Sequence, residues 1–254
     1  MTWTLPCCLY ELARRSDAMR AAADLSGAGT AFKLLAGFSD DVRWDVAMPA
    51  IWHANAINTT NQYRAIGKLA WVNMLVAVLD ANVLFPMLLR DTLLRVASEG
   101  CFRAHWSPRI LEEMTRNLIS DYGMEPSRAE ALRMAMDEAF PEANAEGWEE
   151  IEPAMRNDPK DRHVVAAAVA AEAAVIVTSN IRDFGNLPDG IVALTPDEFL
   201  TEILAKNTAK VLRVLTMQAA AYRRPTLTTS ELIGRLALTS PRFAEQALQA
   251  LARR

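Results

Sequence analysis

Cysteine is scarce in this 254-residue chain. Cys7, Cys8 and Cys101 form neither a disulfide framework nor the paired spacing of a thiolate metal site. Their scarcity fits a reducing compartment, and a cytoplasmic location is expected. A basic excess is missing too. The net charge is −4 and the pI is about 5.5, which excludes a global positive footprint for tight nonspecific nucleic-acid binding. Any nucleic acid would have to be held by a local basic patch and bound metal. No apolar run is long enough to span a bilayer. The first residues lack a basic segment followed by an apolar one, so no signal peptide is expected. There are no internal repeats and no low-complexity segments. The length suffices for one sizeable core and a small appendage.

The chain changes character near Met74. Residues 1–73 hold scattered apolar residues and four tryptophans, Trp3, Trp44, Trp52 and Trp71, without a sustained period. Two readings of this extension stay open. It is either a gene-start artefact, the native chain beginning at Met74, or a segment of little fixed order. From Met74 the pattern becomes regular. Leu75 to Leu79 reads as a buried strand, and Pro86 to Ser98 as an amphipathic helix stopped by Gly100. Phe102 to Trp106 reads as a short strand. Ser107 and Pro108 open a helix with Ile110, Leu111, Met114 and Leu118 on one face. Ser127 is expected to cap a helix to Ala139, with Glu130 three residues on. Asp161 to Ala173 reads as an alanine-rich, deeply packed helix. Ala174 to Thr178 and Ile191 to Leu194 read as strands, and Thr195 to Glu198 as a capping box into a helix ending at Ala205. Strands alternating with helices give an α/β class with a parallel sheet. Beyond Asn207 three helices, Thr208 to Tyr222, Thr229 to Leu238 and Pro241 to Ala252, form a small helical module over residues 207–254.

The chemistry-bearing residues are acids at element boundaries. Asp80 ends the apolar run Val76-Ala77-Val78-Leu79, with Asn82 two positions on. Open α/β sheets place their chemistry at the carboxyl ends of strands. A carboxylate ending a buried strand costs desolvation energy unless something compensates it. Further candidates are Glu112 or Glu113, Asp158 or Asp161, and Asp183. Glu112 and Glu113 project about 100° apart on their helix, so only one can face a shared site. Asp158 precedes Pro159 and reads first as a helix cap. Clustered carboxylates raise one another's pKa, and a hard divalent cation removes that conflict. All-oxygen donors favour Mg²⁺ or Mn²⁺ over zinc.

These residues, in this order, resemble a PIN-domain ribonuclease. The resemblance rests on Val78-Leu79-Asp80-Ala81-Asn82-Val83-Leu84-Phe85-Pro86, His105-Trp106-Ser107 through Glu113, Asp158-Pro159-Lys160-Asp161-Arg162-His163-Val164, and Ile176-Val177-Thr178-Ser179-Asn180 through Phe184. Together with the helical tail, the wording is similar to bacterial VapC-type toxins of toxin–antitoxin pairs. It covers residues 75 to 200 and leaves residues 1 to 73 uncovered.

The resemblance implies a three-layer domain over residues 74–206, with a central parallel sheet flanked by helices. It implies an endoribonuclease using Mg²⁺ or Mn²⁺ and leaving a 5′-phosphate and a 3′-hydroxyl. RNA as substrate, a cognate antitoxin and a homodimer follow as expected partners. Asp80, Glu113 and Asp161 match the family's first three acids. The fourth falls on the segment Thr178 to Asp183, where Asn180 stands in place of an aspartate found in many relatives and Asp183 is the substitute. Asn82, Thr178, Ser179, Asn180 and Arg162 are expected to support those acids or meet substrate.

Other residues carry weaker readings. His163 reads as a surface residue or a satisfied hydrogen bonder. Arg90, Arg116, Arg162 and Arg182 form a candidate positive rim for RNA. Trp106 and Phe184 read as core or pocket wall, and Cys101 as packing. Two rivals remain: a catalytically weak or inactive PIN-like scaffold that binds RNA or protein, and a phosphatase of another α/β class. The latter would need an aspartate at position 82, where this chain has Asn82.

Overall fold

The β-branched residues ahead of Asp80 form a strand because they fit a sheet buried on both faces. This is β1, Val76–Leu79. The computed structural model describes residues 74–223 and 225–253, so the readings made for residues 1–73 lie outside the described residues. β2 (Arg103–His105), β3 (Val175–Val177) and β4 (Val192–Leu194) complete a sheet of order β2-β1-β3-β4. All pairings are parallel, with Val78 opposite His105 on one side and Ile176 on the other. The chain runs from β1 to β2 on one side, then returns to β3 on the other. The topological switch point therefore lies between the carboxyl ends of β1 and β3, where ligands bind in open α/β sheets. Asp80 and Thr178 are the first residues beyond those two strands.

Helices cover the sheet. α1 (Ala81–Leu84) is one turn, followed by α2 (Met87–Ser98), α3 (Pro108–Tyr122), α4 (Pro126–Ala139) and α5 (Trp148–Ile151). A short 3₁₀ turn, Pro159–Asp161, leads into α6 (Arg162–Ala170). α7 (Pro196–Ala221), α8 (Thr229–Leu236) and α9 (Pro241–Ala252) end the described chain. Among the described residues no helix is long and apolar enough to cross a membrane.

Local sequence explains most boundaries. Ser107 caps α3 through Ile110 N–H, and Gly123, at φ 63°, ends it in the left-handed conformation that glycine adopts freely. The capping box expected at Thr195 and Glu198 is formed. One expectation is corrected. The cap of α4 is Glu125, not Ser127: Pro126 takes the first helical position, and the Glu125 carboxylate accepts from Ser127 N–H. The helices expected on either side of Asn207 are found: within α7 the backbone leaves helical geometry at Asn207, at φ −134° and ψ 36°, and the run kinks there. The segment Trp148–Ile151 was not expected to be helical.

One contiguous hydrophobic cluster joins the sheet, α2, α7, α8 and α9, from Leu79 to Phe199 and Phe243. Polar contacts tie the far half of α7 to α2. Gln218 accepts from the Thr92 hydroxyl and donates to Leu88 O, while Lys210 donates to Glu99 O and Arg213 pairs with the Glu99 carboxylate. Arg90 is not part of a surface rim. It is 2% exposed and donates to Leu84 O at 2.7 Å and Phe85 O at 3.2 Å, the carbonyls that end α1. An amphipathic pattern cannot show this, because the demand for a cation comes from the neighbouring turn. Replacing Arg90 with methionine strands those carbonyls in the interior. We expect a loss of about 1.5–3 kcal/mol, read from the urea midpoint.

Candidate active site

Asp80 is 4% exposed. Its Oδ1 accepts from Ala81 N–H at 2.7 Å, capping α1. Its Oδ2 accepts from Asn82 Nδ2 at 2.6 Å and from the Thr178 hydroxyl at 2.7 Å. Asn82 also donates to Thr178 Oγ1 at 3.0 Å and accepts from Ser179 N–H at 2.9 Å. Thr178, fully buried, accepts in addition from Asn180 N–H. The ends of β1 and β3 are thus stitched by side chains, and the Asp80 carboxylate is fixed in one orientation. Burial is the main reason its pKa is pushed up to about 6. The Thr178 and Ala81 hydrogen bonds oppose that rise, and the charge of Glu113 adds to it.

Asp161 stands across from Asp80, at the end of the 3₁₀ turn that feeds α6. Burial first, then the Asp80 charge, push its pKa up to about 6, with Asp183 and Glu113 adding to the rise and Lys160 opposing it. Its Oδ2 is buried and has no hydrogen-bond partner. Lys160 Nζ lies 3.9 Å away, an ion-pair distance. Glu113 is half-buried while Glu112 is exposed, so the helical geometry of α3 turns Glu113 toward the acids. His163 holds the Glu113 pKa below the usual carboxylate range against the effect of burial. The two approach to 3.6 Å between His163 Nε2 and Glu113 Oε2, longer than a full hydrogen bond.

Asp183 is brought to the same end of the sheet but is already engaged. Lys160 Nζ lies 2.5 Å from Asp183 Oδ2, and Asn180 donates to the same oxygen. Lys160 first, with Asn180 assisting, lowers the Asp183 pKa. Asp158 acts as a cap, accepting from Lys160 N–H, and its own N–H donates to Asp183 O. Arg162 turns back to Asn157 O at 3.4 Å. Arg116 and Arg182 are exposed. His163 departs from expectation: it is buried at 1% exposure, and neither ring nitrogen has a hydrogen bond. One signal was available in the chain. The residues after it, Val164 to Ala168, are apolar around the whole helix, so the first turn of α6 is buried with them. Trp106, Phe184 and Cys101 are buried as expected.

The donors are hard oxygens, one of them buried and unpartnered, and Asp80 and Asp161 are raised toward neutrality first by burial, with the charge of neighbouring carboxylates adding to it. That chemistry suits a hard divalent cation. Among the described residues, no three acidic, histidine or cysteine side chains form a ready-made ligand group. Lys160 supplies the nearest positive charge to Asp161 and Asp183.

Residues 76–182 match the family model described as PIN domain. Residues 76–182 are thus a PIN domain, and the chain is similar to VapC-type proteins. Its residues 196–249 match a second model, VapC50 C-terminal domain, whose span begins where α7 begins. Over 108 residues the chain is 39% identical to a Mycobacterium tuberculosis protein named "Putative ribonuclease VapC50". That match covers 41% of this chain and 64% of the relative, somewhat under two thirds of its length. No solved structure gives a significant match. The PIN match and the four-stranded parallel sheet agree with the α/β class and the flanked-sheet architecture.

The raised Asp80 pKa has a consequence for stability. An unfolded aspartate loses its proton near 3.8, whereas folded Asp80 keeps it to about 6. Between those values the folded state binds more protons, so the burial penalty grows from about pH 4 and is complete above about pH 6. Asparagine carries no such penalty. In EDTA, Asp80→Asn is expected to raise the urea midpoint more at pH 7.5 than at pH 4.5. The limiting difference is up to about 3 kcal/mol, from two pKa units at 1.36 kcal/mol each. Equal shifts at both pH values would contradict the burial account of Asp80.

Proposed function

We propose that this protein is a VapC-type metal-dependent endoribonuclease, the toxin of a toxin–antitoxin pair. The observation that carries the reading is the crowding of Asp80 and Asp161, both raised to about 6, at the open end of the sheet. Asp80, Glu113 and Asp161 would hold Mg²⁺ or Mn²⁺, with Asp183 joining once freed from Lys160. When bound, such an ion lowers the pKa of a water and offsets charge on a phosphoryl group. Asn82 and Thr178 orient Asp80. Arg116 and Arg182 offer exposed charge to backbone phosphates, and Ser179 and Asn180 lie exposed beside the site. Cleavage would be in line on a phosphodiester, leaving a 5′-phosphate and a 3′-hydroxyl. The name of the M. tuberculosis relative supports RNA as substrate. A cognate antitoxin, a homodimer and a cytoplasmic location belong to the same reading.

A second reading, a weak or inactive scaffold, is favoured by one observation: Lys160 and Asn180 already satisfy Asp183. Thermal unfolding of the full chain in Mn²⁺ and in EDTA separates the two. The nuclease reading expects Mn²⁺ at 100 times its dissociation constant to stabilise the fold by about 2.7 kcal/mol. The scaffold reading expects coincident curves.

A further inference from the structure

We propose that His163 is a positioning residue for Glu113, holding that carboxylate toward Asp80 and Asp161. This inference rests on the metal-site reading above. Glu113 has a flexible side chain, about one third exposed, on the rim of α3. Among the described residues the basic group at ion-pair distance from it is the His163 ring, at 3.6 Å, with Arg116 and Arg109 acting from further off. His163 is the fixed member. It lies in the first turn of α6, two residues after Asp161, and is 1% exposed. Trp148 packs against it edge-on, with ring centroids 6.4 Å apart and planes at 67°. The element that carries Asp161 therefore also carries the ring that faces Glu113.

Packing does not explain an imidazole here. Both ring nitrogens are buried without a hydrogen bond, an arrangement that an apolar ring of the same shape would avoid. Glu113 Oε2 lies 3.6 Å from Nε2, so a small rotation of its flexible side chain closes the gap to hydrogen-bond length. A neutral imidazole with its proton on Nε2 is sufficient. Groups that orient a ligand in this way typically change metal affinity by about 10- to 100-fold when removed.

The test is equilibrium Mn²⁺ binding to the full chain, with thermal unfolding in EDTA recorded alongside. His163→Phe keeps the ring contact with Trp148 and removes the donor. It is expected to leave the metal-free fold as stable as before, or more so, while weakening Mn²⁺ binding about tenfold. His163→Gln, which restores an N–H donor, is expected to recover part of that affinity. In a Glu113→Ala background the His163→Phe change is expected to have no further effect, because the group it acts through is gone. Unchanged affinity in His163→Phe overturns the inference and leaves the metal reading standing. So does an equal loss with and without Glu113. If the unaltered chain binds no Mn²⁺, the metal reading falls and the inference with it.

Discussion

Asp80→Asn is expected to lower RNA cleavage by about 100-fold or more, some 2.7 kcal/mol of transition-state stabilisation, without unfolding the protein. The substitution is nearly isosteric. The asparagine Oδ1 can still accept from Ala81 N–H, so the cap on α1 survives. The second oxygen becomes an NH₂ that meets the Asn82 amide and the Thr178 hydroxyl. Thr178 Oγ1 already accepts from Asn82 and Asn180, so the Thr178 hydroxyl and the Asn82 amide each lose an acceptor. The structural cost is therefore two hydrogen bonds to Oδ2, offset by removal of a buried charge. The functional cost is the loss of the most deeply buried acid at the switch point. Far-ultraviolet circular dichroism of the mutant beside its cleavage rate checks both halves. A folded mutant that cleaves at the original rate would remove Asp80 from the mechanism.

The second large effect concerns the C-terminal helices. Phe243 on α9 is fully buried, and its N–H donates to Asp197 Oδ1 at 2.9 Å, joining the starts of α7 and α9. It belongs to the same hydrophobic cluster as Leu79 in β1. Phe243→Ala is expected to cost about 3–5 kcal/mol, a large share of the 5–15 kcal/mol that typically holds a domain together. Because the cluster is continuous across Asn207, the loss should appear as one shifted urea transition for the whole chain. Tryptophan fluorescence and circular dichroism should move together. Two transitions, with only the helical phase displaced, would mean that the C-terminal helices fold as a separate unit.

The sequence made β1 and its acid legible because a short β-branched run ending in Asp80 has few other uses. Helical geometry showed that only one of Glu112 and Glu113 can face the site, and the resemblance to the PIN family pointed to Glu113. Backbone periodicity also located α3, α7 and α9 to within a few residues. What it could not show were partnerships set by distant segments. Arg90 looked like any solvated arginine until the end of α1 came to lie beside it. His163 looked like a surface residue because the crowding around it comes from Trp148 and Glu113, 15 and 50 positions away in the chain. Lys160 gave no sign that it would neutralise Asp183, 23 positions on. The cap of α4 was readable in principle. Pro126 at the first helical position points to Glu125 rather than Ser127.

The central claim is that the acids gathered at the ends of β1 and β3 cut RNA with the help of a divalent ion. The most direct measurement is cleavage of a mixed panel of RNAs by the full chain in Mn²⁺, with the same reaction in EDTA. The account predicts discrete cuts in Mn²⁺, leaving 5′-phosphate ends, that vanish in EDTA. An intact panel from a folded protein, or cutting that continues at the same rate in EDTA, would contradict it.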